Sequence, residues 1–311
     1  MRRRQKGAVL KGCNDLIYRV VKFLYRIIGN EKATVYFQLI ALKYRISNNM
    51  EDKTLYGKKL TFKLPSGYEV TIREQNGEDD DILSNPVDAK TFMNISKFIA
   101  GIVTDTDITA TRLLTPEDVQ KMPSLDRYAI MVNSRVFSLG EILDFRYAWD
   151  GPADGQVREV DYEINLQEEF LFDYGVVPTM EEMEAKPNAI PFYPVPKQTS
   201  EIQFTTKSGK EMCFDLLNAR GEAYVLNLPA SERTKNQELV ARNLKLRVGD
   251  NYEPVKNFRM FSPKDMMDIR SAIKGFDPLF HGTTQIEDPE TGQKIMVPVM
   301  AVDNFFYPRE N

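Results

Sequence analysis

Side chains able to act as nucleophiles, proton relays or soft metal ligands are scarce in this 311-residue chain. The sequence contains two cysteines, Cys13 and Cys213, and a single histidine, His281. A nucleophile–histidine relay would have to use His281, and no recognisable nucleophile motif accompanies it. We therefore expect His281 to be a surface or turn residue and the chain not to be an enzyme. Two cysteines provide no disulfide framework, which favours a reducing compartment.

Consecutive carboxylates form a second chemical candidate. Glu78, Asp79, Asp80 and Asp81 could hold Mg²⁺, because hard cations bind carboxylate oxygens. Such an ion would suggest a Mg²⁺-dependent enzyme, but no second ligand set or phosphate-binding motif accompanies the acidic run. The alternative, which we favour, is a solvated turn that precedes a helix.

Two turns keep the frame of a zinc knuckle, CPxCG, without its thiolates. A knuckle uses two cysteines to bind the ion, a proline to stiffen the turn and a glycine to let the backbone curl under the metal. Gly151 and Asp154 occupy the cysteine positions of the first turn, and Asp288 and Thr291 occupy those of the second. We therefore expect no bound metal and no other cofactor. The alternative is an ordinary Pro-x-x-Gly β-turn that does not derive from a knuckle. Because the pattern occurs twice, at matching places in the chain, we favour degenerate knuckles.

The two turns lie in stretches that look like diverged copies of each other. Each copy begins with alternating apolar and polar residues around a Ser-Gly pair, which predicts a β-hairpin. A capped helix start follows in each copy. Insertions of about ten residues in loops would account for the unequal spacing of these landmarks. The offset is 142 residues between Gly67 and Gly209, 147 between Thr115 and Ser262, and 137 between Gly155 and Gly292.

These patterns predict an α+β fold made of two tandem, diverged copies of a hairpin–helices–knuckle module. The first module spans residues 55–172 and the second spans residues 201–308. Each is long enough to bury its own core. Apolar periodicity predicts helices over residues 87–103, 231–246 and 262–274.

A proline-rich segment, residues 173–200, joins the modules. Its five prolines resist regular helix or sheet and predict an extended linker. Phe192 and Tyr193 lie between prolines, so they are candidates for docking into a groove of a partner. Packing against the chain's own modules is the alternative.

Charge divides the chain at Met50. Residues 1–49 carry 11 basic and two acidic residues, a net charge of +9, whereas the remainder carries 30 basic and 43 acidic residues, a net charge of −13. The basic extension could be an amphipathic arm for a membrane or nucleic acid, an ordinary helical extension, or the product of an upstream start codon with no role. The acidic body makes nucleic acid an unexpected ligand. No stretch is apolar enough to span a bilayer, so we expect no membrane partner.

Several short motifs carry a resemblance to a known family. In order along residues 55–308, the motifs are Leu64-Pro65-Ser66-Gly67, Ile72-Arg73-Glu74, Met122-Pro123-Ser124-Leu125-Asp126-Arg127, Ser138-Leu139-Gly140 and Asn304-Phe305-Phe306. Together with the knuckle turn, they resemble the T-even-type phage baseplate hub assembly proteins and related tail-assembly chaperones.

The resemblance implies a non-enzymatic role in building a contractile tail baseplate. The protein would bind other tail or baseplate proteins in the cytoplasm of an infected bacterium, or remain in the virion. Members of that family often keep the knuckle cysteines, which this chain lacks. The alternative function is a nucleic-acid-binding regulator with the basic extension as its arm and knuckle-derived modules as its readers.

Overall fold

Helix and strand alternate in the computed structural model, which describes residues 57–150, 157–173, 176–197, 201–302 and 304–307. This mixture confirms the α+β class; the basic extension lies outside the described residues. The strands are β1 (Lys59–Lys63), β2 (Glu69–Arg73), β3 (Val103–Thr106), β4 (Ile142–Asp150), β5 (Val157–Asn165), β6 (Glu201–Thr205), β7 (Glu211–Asp215), β8 (Lys245–Val248), β9 (Asn251–Pro254), β10 (Thr283–Glu287) and β11 (Lys294–Pro298). The helices are α1 (Gly77–Leu83), α2 (Pro86–Ala89), α3 (Met93–Ile102), α4 (Pro116–Lys121), α5 (Ser124–Leu139), α6 (Leu166–Phe170), α7 (Met180–Ala185), α8 (Ala219–Asn227), α9 (Lys235–Ala241) and α10 (Pro263–Phe276).

Antiparallel pairing joins the strands into two larger sheets and two separate hairpins. The first sheet has the order β1-β2-β3 and the second has the order β6-β7-β8-β9. In both sheets a third strand pairs with the second strand of the opening hairpin. The separate hairpins are β4–β5 and β10–β11.

The turns of the two opening hairpins have the same backbone hydrogen bonds. In the first, the amide of Leu64 donates to the carbonyl oxygen of Tyr68 at 2.8 Å; in the second, the amide of Thr206 donates to that of Lys210 at 2.9 Å. Gly67 and Gly209 have φ angles of +80° and +84°. Side chains other than glycine disfavour this left-handed region, so glycine is the residue that each turn requires.

Each turn then contacts an aspartate in the first turn of a helix. The backbone amide of Ser66 donates to Asp126 Oδ1 at 2.9 Å on α5, and the hydroxyl of Ser208 bonds Asp265 on α10. Burial raises the pKa of Asp126 to about 7. The pKa of Asp265 is instead lowered, first by the Ser208 hydroxyl and then by the Lys210 ammonium, which lies 2.9 Å away. The two aspartates that contact the hairpin turns therefore have pKa values shifted in opposite directions.

Two predicted helices differ from the structure. The segment 87–103 contains α2 and α3, separated at Phe92, whose φ of +54° interrupts the helix. The segment 231–246 contains a 3₁₀ turn, the short α9 and then β8, because residues 245–246 pair with β7. Pairing with a strand more than thirty residues away overrides the local helical periodicity. The helix starts at Thr115 and Ser262 are confirmed, each with a capping box and proline at the first position.

The β4–β5 and β10–β11 hairpins pack against each other around a small apolar cluster of Phe145, Trp149, Ile286 and Val297. The hydroxyl of Tyr162 links them further, since it accepts from Trp149 Nε1 at 2.8 Å and donates to the carbonyl oxygen of residue 287 at 2.9 Å. These are the hairpins whose connecting turns the sequence identifies as degenerate knuckles.

One continuous core joins the two predicted modules. Phe62 and Ile130 from the first and Phe214 and Ile269 from the second belong to the same buried cluster, and residues from Lys58 onward form one compact unit. Instead of closing two separate cores, the halves therefore share one. No helix in the described part of the chain has the length and apolarity needed to cross a membrane.

The proline-rich segment also belongs to this unit. It contains α7 and then packs on the first hairpin turn: the amide of Tyr193 donates to the carbonyl oxygen of Pro65 at 3.0 Å, and that of Lys197 to Ser66 at 2.6 Å. Tyr193 is 4% exposed. The proline segment thus covers the turn, which is the alternative that the sequence left open.

We expect the two turn aspartates to give opposite pH dependences. Between about pH 4 and pH 7 the folded state keeps a proton on Asp126 that the unfolded state has released, so the free energy of unfolding falls as pH rises through this window, by on the order of 4 kcal/mol in total. Asp126→Asn should remove this contribution because the amide does not titrate, while its carbonyl oxygen can still accept from the Ser66 amide. Urea unfolding across the pH range measures it.

Asp265→Asn is the matched variant. Its carboxylate has a lowered pKa, so its contribution is present above the ordinary aspartate pKa of 3.8 and is lost as pH falls. The variant should therefore be weaker than the wild type at neutral pH and approach it in acid. Burial also raises the pKa of Asp277, so a smaller decrease is expected to remain in Asp126→Asn. A decrease as large in Asp126→Asn as in the wild type contradicts the assignment to Asp126.

The shared core predicts one unfolding transition. Ile130→Ala in the first half and Ile269→Ala in the second should each lower the stability of the same transition by about 2–5 kcal/mol, because both side chains are fully buried. Met267→Ala, on the same helix as Ile269 but 70% exposed, is the control. Calorimetry that resolves two transitions within residues 58–311, each sensitive to one variant, argues against a shared core.

Candidate functional site

A cleft of about 1120 Å³ opens among helices α3, α5, α8, α9 and α10. Its volume is slightly above the range typical of ligand pockets, about 300–1,000 Å³. The walls are mainly apolar, and side chains from both halves of the chain contribute to them. The apolar lining includes Ile95, Met131, Val225, Leu239, Ile273 and Met300.

A buried ion pair crosses the floor of the cleft from one half of the chain to the other. The Arg127 guanidinium on α5 donates to Glu222 Oε2 on α8 at 2.8 Å, and Tyr128 donates its hydroxyl to Glu222 Oε1 at 2.7 Å. Arg127 also lies over the ring of Phe92, 5.8 Å from its centroid. Burial, followed by the Glu222 carboxylate, raises the pKa of the Tyr128 phenol far above its ordinary value.

A second buried ion pair, Arg242–Asp277, also lines the cleft. Arg242 Nε donates to Asp277 Oδ2 at 3.0 Å, and the backbone amide of Leu217 donates to the same oxygen at 3.0 Å. Burial raises the pKa of Asp277, and the neighbouring Arg242 opposes that rise. Both side chains are almost wholly buried. The pair therefore fixes the end of α10 against the segment that follows α9.

Local sequence signals bring α8 and α9 close together. Asn218 caps α8 by accepting from two amides of its first turn. Gly221, in the same first turn, faces Ala241 at the end of α9, where an added Cβ would lie 2.5 Å from the carbonyl oxygen. Glycine thus allows an approach that any side chain would block. The close contact sets the wall from which Glu222 and Val225 project.

Basic side chains predominate at the rim of the cleft, where Glu238 is the exposed acidic residue of the lining. Lys235 on α9 and Arg270 and Lys274 on α10 line it, and none of the three makes an ion pair with another described residue. The lining as a whole contains five cationic and three acidic side chains, a net charge of +2. This differs from the net charge of −13 beyond residue 49. Leu226 and Leu279, 54% and 63% exposed, extend the apolar surface to the rim.

In the turn over residues 288–292, which the sequence predicts to be a degenerate knuckle, the polar side chains bond to one another and to the neighbouring hairpin. Thr291 donates its hydroxyl to Asp288 Oδ2 at 2.6 Å, and Arg158 donates to the same oxygen at 2.9 Å. The Thr291 hydroxyl and then the Glu290 amide and Arg158 lower the pKa of Asp288 despite its burial. Gly151 and Asp154, the corresponding residues of the first turn, lie outside the described residues.

The acidic run forms helix α1, in place of the expected turn. Asp79 is buried and receives two hydrogen bonds from Arg73, at 2.7 and 2.9 Å, whereas Glu78, Asp80 and Asp81 are exposed. Across the described ranges, no group of three or more histidine, cysteine, aspartate or glutamate side chains is placed to hold a metal.

The aromatic pair of the proline-rich segment lies away from the cleft. Phe192 packs edge-on against Phe172, with 6.3 Å between ring centroids, and is half-buried. Tyr193 points into the core, so its side chain is not offered to a partner in this structure. His281 is exposed and lines the cleft rim.

The sequence did not predict the cleft, because its walls come from five helices that are spread from Met93 to Phe276. One signal was available. Arg127 occupies a stretch in which Leu125, Ala129 and Ile130 are apolar, and a charged residue that shares a buried helix needs a partner elsewhere in the fold. That partner is Glu222, which lies 95 residues further along the chain and therefore could not be identified from the local sequence.

Removing the floor carboxylate should destabilise the protein. Glu222→Ala leaves Arg127 buried without its counter-charge, and we expect a loss of about 3–5 kcal/mol in the free energy of unfolding. The double variant Arg127→Met with Glu222→Leu should recover much of that loss, because no uncompensated charge remains. Chemical denaturation of the three proteins measures both effects. Equal losses in the single and double variants contradict a role based on charge compensation.

No protein-family model, curated protein or solved structure matches this chain at a significant level. The cleft and the sequence motifs are therefore the two bases for a functional proposal.

Proposed function

We propose that this chain is a non-enzymatic assembly protein of a phage tail or baseplate, and that its cleft receives an apolar segment of another protein molecule. The cleft is the observation that carries the proposal, because it is large, mainly apolar and open to solvent. Covering apolar surface gains about 25 cal/mol for each Å² removed from water. An open apolar cleft of this size is typical of a surface that binds a partner.

The buried charges of the cleft support binding more than chemistry. Glu222 is held by Arg127 and Tyr128, and Asp277 is held by Arg242 and a backbone amide. These hydrogen bonds hold the walls in place. Because each carboxylate is paired with an arginine, the floor carries no uncompensated charge. Such a floor favours an apolar anchor, since no bare charge has to be desolvated when the anchor enters.

We propose further that the two halves arose by duplication of one module. The support is the shared order of hairpin, third strand, aspartate-bearing helix and final hairpin, with matching turn hydrogen bonds at Gly67 and Gly209. By contact with the turn, Asp265 on α10 corresponds to Asp126 on α5, although the capping pattern of α10 resembles that of α4. The two copies then diverged and now share one core. The cleft lies where the two halves meet.

The sequence motifs support a phage-tail setting for this binding role. We place the protein in the cytoplasm of the infected bacterium or in the virion, where it would meet other tail or baseplate proteins. The proposal needs no cofactor. In the degenerate knuckle, Asp288 bonds Thr291 and Arg158, so its carboxylate supports the turn and the neighbouring hairpin.

Photo-cross-linking in infected cells tests this role. A photoreactive amino acid replaces Leu226, which lines the cleft and is 54% exposed, in the affinity-tagged full chain. We expect cross-links to protein, with tail or baseplate proteins among the co-purified components. In the same photoreactive protein, Leu279→Asp should reduce the yield of both, because Leu279 also lines the cleft, is 63% exposed, and an aspartate there disrupts the apolar surface.

The matched control places the same photoreactive group at Val87, which is 75% exposed and does not line the cleft. It should give few cross-links or different ones. Identical cross-links from both positions, cross-links to nucleic acid, or purification without any tail or baseplate protein would count against the proposed function.

A further inference from the structure

We propose that the cleft of one molecule binds the segment 176–185 of a second copy of this chain, so that the protein assembles head to tail. The inference rests on the proposed function, because it names the occupant of the same cleft. The segment comprises helix α7 and the four residues before it. It does not line the cleft of its own chain.

The segment has the apolar side chains that the cleft requires. Val176, Val177 and Met180 are 61%, 45% and 69% exposed. They account for three of the sixteen large apolar side chains that the described part of the chain exposes, and they lie within five consecutive positions. Clustered exposure of this kind marks an interaction surface more strongly than scattered residues do. Methionine and valine can enter an apolar cleft without leaving a polar group unpaired.

Charge distinguishes this segment from other possible occupants. Residues 176–185 carry three glutamates and no basic residue, a net charge of −3, and Glu181 and Glu184 are exposed without an ion pair to another described residue. The cleft lining has a net charge of +2, with Lys235, Arg270 and Lys274 at the rim. The chain's own residues 1–49, at +9, have the wrong sign for this rim. Complementary potentials favour association and set its orientation.

The spacing of the charges fits a helix-to-helix contact. Arg270 and Lys274 lie one turn apart on the same face of α10, with the buried Ile273 beside them. Met180 and Glu184 have the same four-residue separation on α7. An apolar anchor entering beside Ile273 would bring its neighbouring carboxylates towards the two cations.

The proposed interface is heterologous, because the segment and the cleft are different surfaces of one molecule. Each copy can offer its segment to one neighbour and its cleft to another. Such contacts generate rings when the rotation closes and open chains when it does not. In either arrangement, copies of a single protein form a repeating assembly.

Charge exchange between the two surfaces tests the inference. The first variant of the full chain is R270E/K274E, which inverts the rim, and the second is E181K/E184K, which inverts the segment. We expect the wild type to self-associate in sedimentation velocity and each variant alone to associate about tenfold or more weakly, since like charges now oppose each other. An equimolar mixture of the two variants should associate again, because the inverted rim faces the inverted segment.

The control is K256E/K264E, which changes the net charge as much as R270E/K274E does but alters two exposed lysines that do not line the cleft. It should associate as the wild type does. Circular dichroism and the melting temperature of each variant check that the fold is kept. A wild type that remains monomeric at the highest soluble concentration overturns the inference, as does a mixture that fails to recover association while both variants are folded.

These outcomes separate the two proposals. A monomeric protein that cross-links to tail proteins from Leu226 retains the proposed function and excludes a second copy as the occupant. Self-association that obeys the charge exchange, without any tail protein in infected cells, supports the interface and contradicts the proposed phage role.

Discussion

The ion pair between Arg127 and Glu222 is the interaction on which the arrangement of the two halves depends. It joins α5 of the first half to α8 of the second, and its guanidinium is almost completely buried. Removing one partner while the halves stay packed would leave the other charge buried without its counter-charge, at a cost of about 3–5 kcal/mol. The backbone reinforces the joint, because Ser124 donates its amide to the carbonyl oxygen of Leu217 at 2.7 Å. The Arg127–Glu222 pair at the floor of the cleft therefore also connects the two halves of the chain.

This joint explains why the cleft is open while the protein has a continuous core. Apolar side chains from both halves belong to one buried cluster, which includes Met131, Leu239 and Ile273 of the cleft lining. The close contact at Gly221 fixes α8 against α9, and the Arg242–Asp277 pair fixes the end of α10. The walls are held by polar contacts at their bases, which leaves their apolar upper surfaces facing solvent. A receptor surface with fixed walls loses little conformational freedom when it binds.

The two opening hairpins show how similar backbones acquire different electrostatics. Both turns place a glycine in the left-handed region and direct a serine towards an aspartate at a helix start. At the second turn the Ser208 hydroxyl, followed by the Lys210 ammonium, lowers the pKa of Asp265, whereas at the first turn burial raises the pKa of Asp126. Covering by the proline-rich segment further isolates the first turn, where the Cβ of Pro196 lies 3.1 Å from the position that a Cβ on residue 67 would occupy. Similar geometry therefore does not imply similar pH dependence.

The sequence by itself determined the elements whose causes are local. Glycines at turns, prolines at first helical positions and short alternating strands act within a few residues, so the hairpins, the capped helices and the α+β class could be predicted. The break at Phe92 and the strand β8 could not, because contacts with distant elements override a local helical pattern. The shared core, the packing of Tyr193 and the cleft were decided only by the tertiary structure. Each depends on which buried surfaces meet, and a charge such as Arg127 finds its partner through the closed fold and not through its neighbours along the chain.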